Sequence, residues 1–492
     1  MPPLSTEFFV VTLALVGVVI IVAALLSGLI DRSDIPQVGV FLALGAILGP
    51  AGLQLLDISL DSPILRVVAT LSLVLVLFTD VVSLSIAEVD RHKLLAFLVL
   101  GPGTVLSAIL IGFAASWLLD FSGPAAAMIG AALASTDPIM LRGLLKRAGL
   151  PSSVRLALRL ESGLNDIVLL PIILVTMALV SHSGTLEFES ARLALDLFLL
   201  GPGAGVAVAL LAVGALELVR RKTGVRREYE SLYSLGIAFA AYAAAEAVHG
   251  SGFVAAFCAG LTIAALDVEL CDCFLEYGQT TAEMTLLFTF ILFGSSLIWQ
   301  GFLVLDWNTL LFAVAVVLIR PLVFFLSLAR TKLEPRSRLL ISWFGPRGLS
   351  SLLLILVPVF AGLPGSEQWF VTCCLVVLLS ILLHGSSLML LSRRESSMAA
   401  LELHPTGANE STETEETTLV SESGSDRVSV DELRSLQGQG IPVLLLDVRA
   451  DTSFNSSARE AQGALRLPRE QVVRRMKELN VPRQSWIVLF CA

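Results

Sequence analysis

Charged residues are scarce in this 492-residue chain, in which Asp, Glu, Lys and Arg together make up only 15%. Soluble globular domains usually contain about 25% of these residues. Hydrophobic residues account for 55% of the chain, and its mean hydropathy is +0.83. This composition excludes an ordinary soluble protein and predicts a polytopic membrane protein embedded in a lipid bilayer. The net charge of −9 gives no reason to expect a nucleic-acid partner.

Cysteine is also sparse, with six residues in the chain. Four of them lie in or beside apolar stretches, and Cys271-Asp272-Cys273 lacks the two-residue spacer that is typical of metal sites. We therefore expect reduced thiols, with neither a metal centre nor a bound cofactor. The N-terminus lacks a basic stretch and a small-residue cleavage site, so we expect its first apolar run to be a retained helix.

Apolar runs of about 20 residues, the length that crosses a bilayer, recur up to residue 391. We predict thirteen membrane-spanning segments, of which the ninth is short and the least well defined. The segments are 8–30, 35–55, 64–84, 94–118, 124–145, 156–181, 190–219, 229–249, 252–267, 281–299, 305–329, 339–361 and 367–391.

The loops between these segments predict the orientation of the chain. Lys and Arg cluster in alternate loops, at Arg32, Arg91, Lys93, Lys146, Arg147, Arg155, Arg220–Lys222, Arg226, Arg227, Arg330–Arg338, Arg393 and Arg394. By the positive-inside rule these loops are cytoplasmic. We therefore expect a multi-pass protein of the plasma (inner) membrane, with the N-terminus outside and the C-terminus inside.

The composition changes after the last segment. Residues 392–427 are rich in Ser, Thr and Glu and predict a flexible acidic linker. Residues 428–492 return to a soluble pattern, with strands predicted at Pro442–Arg449 and Trp486–Phe490 and a helix at Val472–Leu479. The expected organisation is thus a membrane domain at 1–391, a linker and a small α/β domain.

Two of the apolar segments contain helix breakers next to a charge. Segment 5 carries Ser135-Thr136-Asp137-Pro138, and segment 12 carries Gly345-Pro346-Arg347-Gly348. Interrupted segments in corresponding halves indicate the binding site of a transporter, and an offset of seven gives the antiparallel direction that an inverted repeat requires. Gly101-Pro102-Gly103 and Gly201-Pro202-Gly203 do not share this offset, so we interpret them as kinks and close-packing sites.

Segment 6 carries Asn165-Asp166 about two turns from its cytoplasmic end, with Ser162 on the same helical face. A charge inside a membrane costs roughly 2.5–3.5 kcal/mol on insertion scales, so Asp166 indicates function by default. The alternative is a structural charge in a buried pair. That alternative fits Arg320 in segment 11 better, because this cation needs a buried carboxylate, for which Glu161 is the best candidate.

Other polar residues in apolar segments give weaker indications. Asp80 and Glu246, the latter close to His249, either line an ion funnel or close a polar packing contact. His384 is interpreted as a packing residue. Four further acidic residues are interpreted as segment boundaries: Glu217, Glu228, Glu230 and Glu283.

The order and spacing of these motifs resemble the cation:proton antiporters of the NhaP and eukaryotic sodium/proton exchanger type. The resemblance covers about residues 8–391 and rests on Leu42–Pro50, Thr136–Pro138, Glu161–Asp166, Gly250–Phe253, Arg320 and Gly345–Gly348. It implies an NhaA-like fold of thirteen helices with inverted repeats and two broken, crossing helices. Six helices would form an ion-carrying core, and others would form a homodimer interface.

The resemblance also implies residue roles in the exchange of a cation for a proton. Asp166 would carry the two ions alternately, with Thr136 and Ser162 helping to bind the cation. Asn165 and Asp137 would support the crossing of the broken helices, and an Asn before the carrier points in the family to electroneutral exchange.

Three further residues match the charged framework of the family. Glu161 and Arg320 correspond to a structural ion pair, and Arg347 corresponds to the charge at the second broken helix. The chain departs from the family pattern at Pro346 and after Asp80, where a glycine is usual. These departures leave the transported ion open, with Na⁺ or Li⁺ expected and K⁺ as the alternative.

A single carboxylate suits such an exchange because it supplies both charge and oxygen ligands to a hard monovalent cation. Burial disfavours the ionised form, so that a proton and a cation compete for the same oxygens. If the empty, ionised site is too costly to move, exchange becomes obligatory, and the core would move against a fixed interface. We therefore expect a secondary transporter serving pH homeostasis, and not an enzyme.

Residues 428–492 resemble the start of a rhodanese domain. Asp447-Val448-Arg449 ends the first strand, Gly463-Ala464 fits a small pair of that family, and Cys491 stands where the catalytic cysteine follows its strand. The loop that holds a persulfide does not follow Cys491, and the expected His before Gly463 is absent, so sulfur transfer is not expected. We interpret this tail as a truncated or degenerate regulatory module.

Two rival classes remain open from the sequence. One is a membrane-anchored rhodanese-like sulfurtransferase or sensor, although thirteen segments with buried charges argue against a mere anchor. The other is an ion channel, which would pass ions without coupling them to a counter-ion.

Overall fold

A computed structural model describes most of the chain in two compact units, Met1–Pro405 and Thr406–Ala492. The described residues are 17–18, 21–22, 25, 37–83, 86–145, 147, 150–181, 199–222, 227–266, 272–331, 333–402, 433, 443–448, 464–467 and 486–490. The first predicted segment, 8–30, therefore lies almost entirely outside them.

The described part of the first unit consists of helices joined by loops. The α-helices are α1 Gln37–Leu48, α2 Pro63–Val82, α3 Ile86–Arg91, α4 Lys93–Leu98, α5 Leu106–Leu119, α6 Gly123–Ala134, α7 Pro138–Leu145, α8 Ser152–Ser181, α9 Gly201–Lys222, α10 Arg227–Ala247, α11 Gly252–Ala265, α12 Asp272–Leu292, α13 Trp307–Ser327, α14 Pro335–Trp343, α15 Leu349–Phe360 and α16 Ser366–Glu402. Tighter or wider helical turns follow at Val99–Val105, Phe293–Leu297, Ile298–Val304 and Leu328–Arg330.

Eight helical stretches of the described chain are long and apolar enough to cross a membrane: Pro63–Val82, Lys93–Leu119, Gly123–Leu145, Ser152–Val180, Gly201–Lys222, Tyr277–Val304, Trp307–Arg330 and Ser366–Met389. Shorter apolar helices occupy four more of the predicted segments. The predicted class, a helical polytopic membrane protein, is confirmed. The number of thirteen crossings stays a prediction.

The two predicted kinks both lie in or next to π-helical turns. Gly101-Pro102-Gly103 lies within the π-helical turn Val99–Val105, as expected where proline removes a backbone donor inside a helix. Gly201-Pro202-Gly203 begins α9 and directly follows the π-helical residues Leu199 and Leu200.

The helices of the first unit form two groups by their packing. One group, here called the site bundle, contains α4 to α8 and α13 to α16. The other, here called the support bundle, contains α1, α2 and α9 to α12. In it α10, α11 and α12 pack against α2, α9 packs against α10 and α11, and α12 also packs against α1. The bundles touch where α2 packs against α8 and α15, where α1 packs against α7, and where Ile298–Val304, which continues α12, packs against α16.

Two segments of the site bundle are interrupted near their middle. The first breaks between α6 and α7 at Ser135–Asp137, and the second breaks between α14 and α15 at Phe344–Gly348. The two interruptions meet, because the amide of Asp137 donates to the carbonyl of Pro346 at 3.0 Å. This contact brings the two motifs of helix breakers together.

The second unit contains a three-stranded parallel sheet in its described part. Its strands are β1 Val443–Asp447, β2 Leu465–Arg466 and β3 Trp486–Phe490, in the order β2-β1-β3. Two of these strands lie at the predicted positions. The predicted helix at 472–479 and Cys491 lie outside the described residues.

Close backbone contact joins α5 and α6. A Cβ atom at Gly130 of α6 would lie 2.7 Å from the backbone nitrogen of Gly112 and would overlap the carbonyl of Ala108. The neighbours are backbone atoms, so no side-chain rotation can relieve the overlap.

We expect Gly130→Ala to lower the melting temperature of the detergent-solubilised protein, because overpacking typically costs about 1–3 kcal/mol. The matched control is Gly214→Ala in the middle of α9, where a Cβ meets no atom within 4 Å. The control should melt at or above the wild-type temperature, since alanine favours a helix over glycine. Equal melting of the two variants would contradict the close approach.

Candidate functional site

Each of the two interrupted segments carries a charged side chain that forms hydrogen bonds with a helix end of the other segment. Arg347 donates from Nη1 to the carbonyl oxygens of Ala134, at 2.7 Å, and Ser135, at 3.2 Å, which end helix α6. The carboxylate of Asp137 accepts from the amide of Leu349 at 2.8 Å, at the start of α15, and from Ile139 at 2.9 Å, at the start of α7. A cation thus faces the negative end of a helix dipole, and an anion faces two positive ends.

Glycine makes room for the charges at the second interruption. A Cβ at Gly348 would overlap the carboxylate of Asp137, and a Cβ at Gly345 would overlap the guanidinium of Arg320. The helix breakers in this motif therefore also act as spacers for buried charges.

Glu161 of α8 and Arg320 of α13 form a buried, bidentate ion pair. The guanidinium donates from Nε to Oε1 at 3.0 Å and from Nη2 to Oε2 at 2.5 Å, and both side chains are 2% exposed. Arg320 also donates to the carbonyls of Ser342 and Phe344 at the end of α14. One cation thus connects three helices of the site bundle.

Asp166 lies beside this framework but has fewer hydrogen-bonding and charged partners. Its side chain is 8% exposed, and its Oδ1 accepts a hydrogen bond from the hydroxyl of Ser135 at 3.1 Å. Across the described residues no ion pair to Asp166 is found. The neighbouring Asn165 donates from Nδ2 to the same hydroxyl at 3.4 Å, and its buried Oδ1 has no hydrogen-bond partner among the described residues.

The buried charges of the site therefore fall into two kinds. Glu161, Arg320, Arg347 and Asp137 each face an opposite charge or the end of a helix. Asp166 has one neutral hydrogen-bond donor in the described structure. A carboxylate in this setting, next to the free oxygen of Asn165, has the chemistry to bind either a proton or a hard cation.

The two predicted hydroxyl ligands are occupied elsewhere in this structure. Thr136 donates to Oε1 of Glu161 at 2.8 Å and accepts from Nη1 of Arg347 at 3.3 Å. Ser162 donates to the carbonyl of Leu158 at 2.9 Å. Their role as cation ligands stays a prediction.

Ser135 is the contact of Asp166 that the sequence analysis missed. Its neighbour Thr136 was singled out as part of a family motif, while Ser135 belongs to the same helix-breaking stretch. The sequence therefore contained the motif. It could not show which of its side chains points to Asp166, because that direction depends on how the two segments cross.

The two funnel candidates occupy different surroundings. Asp80 lies half-buried on α2 and within electrostatic reach of Asp166, Asp137 and Arg142. Glu246 is exposed and accepts from the amide of Gly252 at 3.0 Å, at the start of α11. Glu246 thus closes the loop before α11, whereas Asp80 faces the charges of the site.

Two other interpretations can be placed in the structure. His384 is buried and bonds through its ring nitrogens to Ser380 and to the carbonyl of Trp343, in keeping with a packing residue. Glu283, taken as a boundary residue, instead forms an ion pair with Arg142. Glu228, Glu230, Cys271 and Cys491 are residues whose side chains lie outside the described part of the structure.

Most of the chain is similar to one family of known proteins. The family described as "Sodium/hydrogen exchanger, transmembrane" matches residues 17–394. The K(+)/H(+) antiporter NhaP2 of Shewanella sp. (strain MR-4) is 31% identical over 404 residues, which cover 78% of this chain and 66% of that protein. The Na(+)/H(+) antiporter NhaG of Bacillus atrophaeus is 25% identical over 315 residues, which cover 60% of this chain and 58% of that protein.

The fold is similar to that of the sodium proton antiporter MjNhaP1 from Methanocaldococcus jannaschii. The TM-score is 0.62, with 77% of this chain and 100% of that chain covered, at 21% sequence identity. At this identity the likeness bears on the fold alone. This chain therefore spans 66% of the length of the NhaP2 relative and the whole of the MjNhaP1 chain. Because the family match covers residues 17–394, which is more than half of the chain, the chain belongs to the sodium/hydrogen exchanger family.

Proposed function

We propose that this protein exchanges a monovalent cation for protons across the membrane, with Asp166 as the shared binding site. One observation supports the proposal. The other buried charges of the site face an opposite charge or a helix end, whereas Asp166 has one neutral hydrogen-bond donor in the described structure. A structural carboxylate at this depth would need a partner of opposite charge, or several hydrogen-bond donors. Asp166 has one neutral donor in the described structure, so its charge is free to be neutralised by a transported ion.

The exchange follows from the cost of moving a bare charge. When Asp166 holds a proton or a cation, the site is neutral and can pass across the apolar boundary. When it is empty and ionised, passage carries a large desolvation cost. The two ions therefore cross in alternation. Movement of the site bundle against the support bundle would expose Asp166 to each side in turn.

The oxygens around Asp166 support a site for a hard cation. Its own carboxylate, the hydroxyl of Ser135 and the unpartnered Oδ1 of Asn165 lie together. Thr136 and Ser162 would join as ligands after their hydroxyls leave their present acceptors. Such ligands suit Na⁺, Li⁺ and K⁺ alike, and the relatives named above are Na(+)/H(+) and K(+)/H(+) antiporters. A single carboxylate next to a neutral Asn165 supports electroneutral exchange.

The proposal extends to the organisation of the whole chain. We place thirteen crossings in residues 1–391, with the N-terminus outside and the C-terminus in the cytoplasm, an acidic linker at 392–427 and a rhodanese-like regulatory module at 428–492. The parallel sheet of the second unit supports an α/β module. A homodimer in the inner membrane is the assembly we propose. The rival classes, a membrane-anchored sulfurtransferase and an ion channel, predict no cation-driven proton movement.

We expect Asp166→Asn to abolish proton flux driven by a Na⁺, Li⁺ or K⁺ gradient in proteoliposomes, because the neutral amide has no negative charge with which to bind a proton or a cation. A pH-sensitive dye inside the vesicles measures the flux. The control is Asp120→Asn, an exposed residue with a φ of 54°, a conformation that asparagine accepts. Retained flux in Asp166→Asn would sink the assignment, and wild-type cation current without proton movement would favour a channel.

We expect Ser135→Ala to weaken cation binding while leaving the protein folded, because it removes the donor that holds the Asp166 carboxylate. Hydrogen bonds to charged groups contribute about 1.5–3 kcal/mol, so the apparent KM for the cation should rise roughly tenfold or more. The control is Ser351→Ala, whose hydroxyl donates to the carbonyl of Ser135 at 3.2 Å and not to Asp166. An unchanged KM in Ser135→Ala would show that this contact plays no part in binding.

We expect Arg320→Ala to destabilise the fold, because it leaves Glu161 buried without a partner, at a cost of about 3–5 kcal/mol. Thermal melting in detergent tests this. The comparison is Arg221→Ala, which breaks an exposed pair with Glu217 and should leave the melting temperature nearly unchanged. An Arg320→Ala protein with wild-type melting and full transport would contradict the structural role of the pair.

A further inference from the structure

A second ion pair links the two bundles near the site. Arg142 lies on α7, the second half of the first broken segment, and Glu283 lies on α12 of the support bundle. The helix α7 packs against α8 of the site bundle and also touches α1. The helix α12 packs along α1, α2 and α10. Any relative movement of the broken segment and α12 must therefore strain or break this pair.

The exposure of this pair differs sharply from that of the structural pair. The side chains of Arg142 and Glu283 are 37% and 22% exposed, whereas those of Arg320 and Glu161 are both 2% exposed. Water and salt screen a pair that is partly exposed, and its members can be rehydrated when they separate. A fully buried pair has no such escape. Separating Arg142 from Glu283 therefore costs less free energy than separating Arg320 from Glu161.

The charges around Arg142 also suit a pair that opens. Arg142 lies within electrostatic reach of Asp137 on its own segment and of Asp80 on α2. When Glu283 withdraws, the guanidinium still faces carboxylates and is not left alone in an apolar region. Asp80 is in turn within electrostatic reach of Asp166. The pair therefore lies at the boundary between the bundles, next to the charges that lead to the carrier.

We propose that Arg142 and Glu283 form a releasable bridge between the broken segment and α12, and that separation of this bridge is a required step of each transport cycle. The inference rests on the proposed function, because only relative movement of the bundles gives the bridge a reason to open. Both residues act as positioning residues. They hold α7 against the support bundle in one state and release it in the other.

Cross-linking tests the bridge directly. The double variant Arg142→Cys with Glu283→Cys is reconstituted in proteoliposomes and treated with a short bifunctional methanethiosulfonate, whose links a reductant removes. We expect the reagent to reduce cation-driven proton flux at least tenfold and the reductant to restore it. The matched controls are the two single variants, which keep every native cysteine but cannot form the link, and the reagent should leave the flux of each nearly unchanged from its own untreated value. Wild-type flux in the linked double variant, with linkage verified by mass spectrometry, would overturn the bridge.

A conservative variant distinguishes a bridge that opens during transport from a static contact. It also provides a test if the double variant does not fold. We expect Glu283→Gln to change the maximal rate of exchange at least twofold while the melting temperature stays at the wild-type value. Glu217→Gln, which removes the carboxylate of an exposed pair on α9, is the matched control and should change neither. A lower melting temperature with an unchanged rate would make the pair a static contact. Absence of flux in the wild-type protein would instead refute the proposed function.

Discussion

An ionised side chain inside an apolar helix bundle must find an opposite charge or the end of a helix, and this requirement organises the site. In the sequence the two interruptions are helix-breaking motifs. In the structure these motifs create free helix ends in the middle of the bundle. Asp137 and Arg347 occupy those ends reciprocally. Without the interruptions neither charge would have a partner, and without the charges the free backbone groups would be unsatisfied. The crossing and its charges therefore depend on each other.

The same requirement distinguishes the proposed carrier, Asp166, from the framework of paired charges. Glu161 and Arg320 satisfy each other and tie α8, α13 and the end of α14 into one body. Asp166 lies about one and a half helical turns beyond Glu161 on the same helix, and the hydroxyl of Ser135 donates a hydrogen bond to it. A rigid framework around one incompletely compensated carboxylate is the arrangement that a shared ion site needs. In the proposed exchange the framework would move as a unit, and the carboxylate would change its occupant without disturbing the framework.

Much of this could be predicted from the sequence, because apolar length and helix breakers act locally. The helices described in twelve of the predicted segments and both interruptions follow from composition, and the partner of Arg320 follows from the need to neutralise a buried cation. Contacts that depend on the crossing geometry could not be predicted. Ser135 and Thr136 are adjacent and chemically similar, yet one faces Asp166 and the other faces Glu161. Arg142 belongs to none of the motifs found in the sequence, and only its approach to Glu283 on a distant helix points to a role.

The central claim is that one carboxylate binds a proton and a cation in competition. Proton release on cation binding tests it most directly. Purified protein in weakly buffered detergent solution is titrated with Na⁺, Li⁺ and K⁺ while the pH and the heat of binding are recorded. At a pH where Asp166 is protonated, the account predicts the release of about one proton per bound cation, falling as the pH rises, and none from Asp166→Asn. Cation binding without proton release at any pH, or equal release from Asp166→Asn, would contradict it.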